Sequence, residues 1–157
     1  MVSQNYNYPQ QGEKITVDSF QKRNNSDSEL WQPKQGEIWL IDYTFNFSQI
    51  NNNKFEIESQ IKKLRPSIIL SNNIQNEFNN RIIVAPLTSK SIEIINKPFE
   101  ILIEKEKSNG LDQDSKLLLQ FLLSIDKNFR LVKKLGKVEE NKIREIDKGL
   151  EIVFKRI

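Results

Sequence analysis

The chain has 157 residues, a formal net charge of +3, and 37% hydrophobic and 29% charged residues. This composition is typical of a globular protein long enough to bury a core, and no apolar run reaches the ~18 residues of a membrane-spanning helix. The chain contains neither cysteine nor histidine. Disulfides, thiolate nucleophiles, Cys-based zinc sites and the usual general base at neutral pH are therefore excluded, so any chemistry must use other side chains.

The N-terminal segment is rich in Asn, Gln and Ser, and its apolar residues are too sparse for a core. We predict a disordered arm over residues 1–32 and one folded domain over residues 33–157. Residues 1–30 carry three basic and four acidic side chains, which leaves a net charge of +4 for residues 31–157 and favours an anionic partner. The arm lacks the pattern of a signal peptide, so we expect a cytoplasmic protein.

The first predicted strand covers residues 37–43, EIWLIDY, and its Trp39 is expected in the core. Residues 44–63 form a long polar connection around three consecutive asparagines. This connection is either a hairpin or a mobile loop, because twenty residues without structure are unusual inside a compact domain. Mobile loops beside a cleft often carry binding function.

Two short β-branched runs follow, at residues 67–70 and 82–85, and Pro66 and Pro86 bound them. Such runs predict buried strands, here joined by an Asn-rich connection. Pro66 restricts Arg65 to an extended conformation, so we expect the guanidinium to project from the entry of one strand. Thr88 is expected just past the exit of the next strand. A cation and a hydroxyl group at the ends of paired strands can frame one cleft.

The C-terminal third predicts one more clear strand and one clear helix. Residues 99–104 alternate between apolar and polar side chains, which predicts a strand, whereas the apolar run at residues 117–125 is compatible with a buried helix or a strand. Apolar residues recur at helical spacing near the end of the chain, at Ile143, Ile146, Leu150, Val153 and Ile157. Short strands followed by one helix predict a small curled sheet or barrel. Lys133, Lys134 and Lys137 are expected to form a solvated basic rim.

Six sequence blocks appear in order at residues 36–42, 65–73, 84–89, 110–115, 124–127 and 134–136. Together they resemble the MazF/PemK (Kid-type) toxins of type II toxin–antitoxin systems. The resemblance implies a mainly β (α+β) fold, an SH3-like small barrel of short strands with a C-terminal amphipathic helix, and it favours a strand for residues 117–125. It also implies a homodimer that contacts no membrane, and DNA only through an antitoxin complex.

The function implied by the resemblance is a metal-independent, cofactor-free endoribonuclease that cleaves single-stranded RNA and is neutralised by an antitoxin with an acidic segment. By position in the family motifs, Arg65 and Thr88 are the catalytic residues. The residues expected to bind RNA are Ser59, Gln60, Lys62, Lys63, Ser89, Gln120 and Phe121. The chemistry suits the composition, because RNA supplies its own nucleophile, the 2′-hydroxyl group, and an arginine can clamp the phosphate oxygens.

Two family blocks differ in this chain. Gln60 stands where the family usually has Glu, and Gln120, Phe121 and Leu123 replace a carboxylate, an amide and a cation. Either Phe121 stacks on a base and the cleaved sequence has changed, or catalysis is weaker. Two alternatives therefore remain: a catalytically weakened relative that binds antitoxin or nucleic acid, and a gyrase-type protein-inhibiting toxin. Retention of Arg65 and Thr88 argues against the second.

Overall fold

The computed structural model describes residues 32–43 and 64–155. Apart from Gln32, the predicted arm lies outside these ranges, as do Ile157 and the whole 44–63 connection. Four of the residues expected to bind RNA belong to that connection: Ser59, Gln60, Lys62 and Lys63. Among the described helices, none has the length and apolar character needed to cross a membrane.

The described chain is mainly β, as predicted. The strands are β1 (Glu37–Asp42), β2 (Leu64–Ile69), β3 (Arg81–Thr88), β4 (Glu100–Ile103), β5 (Ser115–Leu118), β6 (Leu123–Asp126) and β7 (Leu131–Lys137). The helices are α1 (Asn73–Phe78), α2 (Lys127–Arg130) and α3 (Glu140–Phe154), and a 3-10 turn covers Leu119–Phe121. The strands form one antiparallel sheet in the order β4-β5-β3-β2-β1-β7, and β6 also pairs with β3. β3 is therefore the strand around which the sheet is built.

The C-terminal helix packs its apolar face on this sheet. In α3, Ile146 is buried, and Ile143, Leu150 and Val153 pack against the core cluster. Their three- and four-residue spacing places them on one face, which confirms the predicted amphipathic helix. Gly149 lies on the same helix, and a Cβ atom there would lie 2.5 Å from Cδ1 of Leu119. A glycine at this position lets the helix approach the sheet closely.

The two central strands are longer than predicted, and both prolines lie inside them. Pro66 pairs with Leu40 of β1, and Pro86 pairs with Ser67 of β2. A proline nitrogen cannot donate a hydrogen bond, but its φ angle suits an extended strand, so a proline is tolerated where no ladder bond needs its nitrogen. β3 continues past Pro86 because it gains a new partner in β5. Thr88 is therefore the last residue of the strand, and the prediction that it lies beyond the strand is wrong.

The expectation of a single strand at residues 117–125 is also wrong. Leu87 pairs with Leu117, and Val84 pairs with Leu123. Moving three residues along β3, from Val84 to Leu87, thus corresponds to moving six residues along the paired chain, from Leu123 to Leu117. The three additional residues form the 3-10 turn. The turn buries Leu119 completely and leaves Phe121 exposed. A continuous apolar run fits this break as well as it fits a strand, because β5 buries Leu117 before the turn and β6 buries Ile125 after it.

β7 was not predicted, and it contains the three lysines expected to form a basic rim. Lys133, Lys134 and Lys137 are all exposed. Lys134, however, makes an ion pair with Glu37, a buried carboxylate that also accepts a 2.9 Å hydrogen bond from the indole nitrogen of Trp39. Trp39 is 3% exposed, which confirms its expected place in the core. The lysine compensates a buried charge.

The free energy of unfolding at alkaline pH should depend on the ionisation of Tyr43. The hydroxyl group of this residue lies 2.7 Å from Oγ of Ser67. Burial raises the pKa of Tyr43 from 10.0 to about 12, against the opposing effects of Ser67, Arg130 and Arg65. The folded state therefore favours the neutral phenol. Its contribution is complete below pH 10, and roughly 3 kcal/mol of stability should be lost as the pH rises towards 12.

This prediction is checked by urea unfolding between pH 9 and pH 12 with the parent and a Tyr43→Phe variant. The variant lacks the titrating group, so its free energy of unfolding should fall less steeply over this range, although it starts lower because the hydrogen bond to Ser67 is absent. Equal slopes for the two proteins would contradict the assignment.

Candidate active site

Strand pairing brings Arg65 and Thr88 to the same end of the sheet. β2 and β3 pair through Ser67 with Pro86 and Ile68 with Ala85. Arg65 lies two residues before Ser67 and Thr88 lies two residues after Pro86, so both lie at the same end of this ladder. Side chains two residues apart on a strand point to the same face, so Arg65 and Thr88 share one face of the sheet. The two strands thus bring a cation and a hydroxyl group to one place.

Both residues line one pocket of about 300 Å³. The lining residues are Leu64, Arg65, Pro66, Leu87, Thr88, Ser89, Lys90, Leu111, Asp112, Gln113 and Ser115. Ser89, expected to bind RNA, is among them, whereas Gln120 and Phe121 are not. Sequence reasoning missed Lys90, Asp112 and Gln113. Asp112 lies in one of the family-like blocks, but nothing in that block signals that its carboxylate reaches the site.

The guanidinium group of Arg65 has a donor without a partner. Its Nε atom is buried and makes no hydrogen bond to any residue that the structure describes. A buried donor left unpaired costs about 1–3 kcal/mol, so an acceptor that reaches it gains that free energy in addition to the attraction of the positive charge. The five N–H donors of arginine match the oxygens of a phosphate group. This part of the pocket is therefore suited to an oxyanion.

The hydroxyl group of Thr88 is held in a defined orientation. Its Oγ1 atom accepts a 3.2 Å hydrogen bond from the backbone nitrogen of Lys90. A hydroxyl group has one proton to donate and two lone pairs. Since one lone pair is used within the chain, the proton remains available to a ligand in the pocket.

Gln120 is exposed, but its amide group reaches a buried ion pair formed by Glu100 and Lys116. Its Nε2 atom donates to Glu100, at 3.2 Å, and the ammonium group of Lys116 lies 3.2 Å from the other oxygen of Glu100. Burial by itself would raise the pKa of Glu100, but the hydrogen bond and charge of Lys116 outweigh burial and hold that pKa below its ordinary value of 4.5. Lys116 pairs in turn with Thr88 in the sheet. The amide of Gln120 thus adds a hydrogen bond to the ion pair whose lysine lies opposite Thr88 in the sheet.

The remaining predicted contact, Phe121, is 48% exposed on the 3-10 turn. No group of three or more His, Cys, Asp or Glu side chains arranged to hold a metal ion occurs in residues 32–43 and 64–155. The polar groups that converge on the pocket are therefore a guanidinium, an ammonium, hydroxyl groups, an amide and one carboxylate. This set can bind and polarise a phosphodiester.

The sequence profile of the PemK-like, MazF-like toxins of type II toxin–antitoxin systems matches residues 34–154. The chain belongs to this family. A curated PemK/MazF relative, Endoribonuclease MazF of Staphylococcus saprophyticus, is 36% identical over 122 residues, which cover 76% of this chain and 88% of the relative. The resemblance found in the six sequence blocks is thus confirmed.

Solved structures of PemK/MazF proteins share the fold. The Mycobacterium tuberculosis toxin MazF-mt6 has a TM-score of 0.57 at 16% identity, and the match covers 77% of this chain and 98% of the toxin. An endoribonuclease in complex with its cognate antitoxin, from a mycobacterial species, has a TM-score of 0.56 at 17% identity and covers 76% and 92% of the two chains. These likenesses confirm the predicted small barrel with a C-terminal helix.

Proposed function

We propose that this toxin is an endoribonuclease that cleaves single-stranded RNA, with Arg65 and Thr88 as its catalytic residues. The observation that carries the proposal is the unpaired, buried Nε of Arg65 in the same pocket as the hydroxyl group of Thr88. The activity named for the 36% identical relative supports it. The pocket presents donors to an anion, as a phosphodiester requires.

In this reaction the 2′-oxygen of one nucleotide attacks the adjacent phosphorus, and the bond from phosphorus to the 5′-oxygen breaks. The products are a 2′,3′-cyclic phosphate and a 5′-hydroxyl end. Negative charge grows on the non-bridging oxygens, where Arg65 stabilises it through its fixed fork of donors. Thr88 donates a hydrogen bond to the same phosphate group. The RNA supplies the nucleophile, so these steps require no metal ion and no cofactor.

The RNA extends beyond the pocket over neighbouring residues. Ser89 borders the pocket, and exposed Phe121 offers an aromatic face on which a base can stack. The other four proposed RNA contacts, Ser59, Gln60, Lys62 and Lys63, lie outside the described residues. Gln120 is exposed and remains a proposed RNA contact through its carbonyl oxygen, because only its amide nitrogen is bound to Glu100.

The proposed partners follow from the family. The toxin acts in the cytoplasm as a homodimer and is neutralised by an antitoxin whose acidic segment occupies the cationic RNA groove. A fold relative solved in complex with its cognate antitoxin supports an antitoxin as a partner. The toxin contacts DNA only through the antitoxin complex.

Mapping of RNA ends after expression of the chain tests the proposal. The parent should create new 5′-hydroxyl ends at one short sequence. A Thr88→Ala variant should cleave about 10- to 100-fold more slowly, because a hydrogen bond to a charged group contributes about 1.5–3 kcal/mol. Ser124→Ala, which removes an exposed hydroxyl group outside the pocket lining, should cleave like the parent.

Intact RNA in the presence of the parent protein would overturn the proposal. If that protein still bound RNA or antitoxin, it would be the catalytically weakened relative that the amides at positions 60 and 120 suggest. Growth inhibition with intact RNA would instead indicate a protein-inhibiting toxin.

A further inference from the structure

We propose that Asp112 accepts the proton of the attacking 2′-hydroxyl group, an assignment that rests on the proposed nuclease function. The reaction needs a proton acceptor. Arg65 is suited to bind charge but not to accept a proton, because a guanidinium group keeps its proton at any ordinary pH. A neutral hydroxyl group such as that of Thr88 is a weak base. Among the described residues that line the pocket, Asp112 has the single carboxylate.

The fold brings Asp112 to the open end of β3. The segment that carries it leads directly into β5, whose second residue, Lys116, pairs with Thr88. Ser115 and Gln113 line the same pocket, so the chain follows the pocket wall from Asp112 to the strand. Asp112 thus faces the space into which Arg65 and Thr88 present their donors.

The carboxylate of Asp112 is available to a ligand. Its side chain is exposed, and it makes no hydrogen bond or ion pair with any described residue, including Arg65. The charged groups that line the pocket with it are Arg65 on β2 and Lys90 just after β3. An ion pair between the guanidinium of Arg65 and the carboxylate of Asp112 would occupy the groups that the phosphate and the 2′-hydroxyl group must reach. Because they are apart, a phosphate can bind the cations while its neighbouring 2′-hydroxyl group meets the carboxylate.

The loop before Asp112 is fixed by a buried asparagine. Asn109 is 3% exposed, and its amide group donates to the carbonyl oxygen of Glu104 at 2.8 Å. Its Oδ1 atom accepts hydrogen bonds of 3.1 Å from the backbone nitrogens of Glu106 and Leu111. Leu111 packs against the hydrophobic core. The residue directly before Asp112 is therefore held by both a hydrogen bond and apolar contact.

Two glycines dock this loop onto β7. Gly110 has a φ angle of +68°, and a Cβ atom there would collide with the carbonyl oxygen of Leu135. A Cβ atom on Gly136 would collide with the backbone of Ser108 and Asn109. Close backbone contact of this kind fixes the loop relative to the sheet, which is how a proton acceptor is kept in reach of its substrate.

The O–H bond of the 2′-hydroxyl group breaks and its proton moves to a carboxylate oxygen of Asp112. The electron pair left on the 2′-oxygen forms the new bond to phosphorus. The bond from phosphorus to the 5′-oxygen breaks, and the 5′-oxygen takes a proton from water. Asp112 returns its proton to water after the products leave.

The test replaces Asp112 with asparagine, which keeps the shape of the side chain but cannot accept the proton. The Asp112→Asn variant should cleave about 100-fold more slowly than the parent, the lower end of the range for general base catalysis. Asp147→Asn removes the same charge from the exposed face of α3, and this control should cleave at the parent rate.

A substrate with sulfur in place of the bridging 5′-oxygen identifies the proton transfer involved. Its leaving group needs no protonation, so it rescues enzymes that lack a general acid but not those that lack a general base. Asp112→Asn should remain slow on this substrate, and Asp112→Glu should recover part of the activity. Binding of a 2′-deoxy RNA analogue by Asp112→Asn, at an affinity near that of the parent, establishes that the site is intact.

The outcomes separate this assignment from the proposed function. If the parent cleaves RNA and Asp112→Asn cleaves equally fast, the assignment is wrong and the nuclease function stands. Rescue of Asp112→Asn by the sulfur substrate would also overturn it, because the residue would then act on the leaving group. RNA left intact by the parent overturns both.

Discussion

An Arg65→Ala variant should cleave RNA about 100- to 1,000-fold more slowly than the parent, a loss of about 2.7–4 kcal/mol in transition-state stabilisation. Alanine removes the guanidinium group and with it the buried Nε donor that has no partner in the described structure. Since negative charge on the phosphate grows in the transition state, the loss should appear mainly in kcat and less in the affinity for a 2′-deoxy RNA analogue.

One further variant separates the geometry of the Arg65 side chain from its charge, and another controls for the loss of a positive charge. Arg65→Lys keeps the charge but loses the planar fork, so it should recover only part of the rate. Arg144→Ala removes an equal charge from the exposed surface of α3, and this control should cleave like the parent. Arg65→Ala and parent rates within a factor of two would contradict a catalytic role for Arg65.

The juxtaposition of Arg65 and Thr88 could be predicted because it depends on local signals. Two β-branched runs of equal length, each next to a proline, predict adjacent strands, and antiparallel pairing brings the start of one to the end of the other. The C-terminal helix was predictable for a similar reason, since Ile143, Ile146 and Leu150 repeat at helical spacing. In both cases the pattern lies within one short stretch of sequence.

The break in residues 117–125 could not be predicted, because it is set by a distant strand. A run of nearly unbroken apolar residues satisfies both a strand and a buried turn. The 3-10 turn exists because β3 pairs with β5 and β6 in registers that differ by three residues. β7 was missed because its sequence shows no clear strand pattern. Its exposed lysines obscure the alternation of apolar and polar residues, and its pairing with β1 contains register shifts.

Asp112 was missed because its position depends on contacts between distant parts of the chain. Its loop is held by Asn109 and by the close approach of Gly110 and Gly136. The residues Asn109 and Gly110 predict a turn just before Asp112, but they do not indicate which strand the turn packs against. The family motifs identified the residues on β2 and β3, whereas the carboxylate facing them became visible only with the fold.

The second large effect is expected for the buried ion pair of Lys116 and Glu100, whose lysine pairs with Thr88 in the sheet. The side chains of Lys116 and Glu100 are 11% and 6% exposed, and their charged atoms lie 3.2 Å apart. A Lys116→Met variant keeps the apolar stem but leaves Glu100 buried with only Gln120 and exposed Lys97, 3.7 Å away, as partners. Breaking a buried pair in this way costs about 3–5 kcal/mol. We expect a loss of about 3 kcal/mol in the free energy of unfolding at pH 7, because Lys97 compensates in part.

The pH dependence of this loss identifies Glu100 as its source. In the parent, Lys116 holds the pKa of Glu100 below 4.5, so the carboxylate contributes stability above that pH and loses its contribution as the pH falls. In Lys116→Met, the two lowering effects of Lys116 are lost while burial, the largest single effect, remains, so the pKa of Glu100 should rise above its parent value. The carboxyl group should then take up its proton, and lose its buried charge, at a higher pH than in the parent. The stabilities of the two proteins should therefore converge between pH 7 and pH 4 in urea unfolding.

A second substitution separates the charge from the loss of packing. In Glu100→Gln combined with Lys116→Met, no buried charge remains, so the double variant should regain most of the stability that Lys116→Met loses at pH 7. Together with Glu100→Gln alone, these variants form a double-mutant cycle, and its coupling energy measures the pair. If Lys116→Met cost less than about 1 kcal/mol at pH 7, or the same amount at pH 4, the pair would not stabilise the strand next to Thr88 by charge compensation.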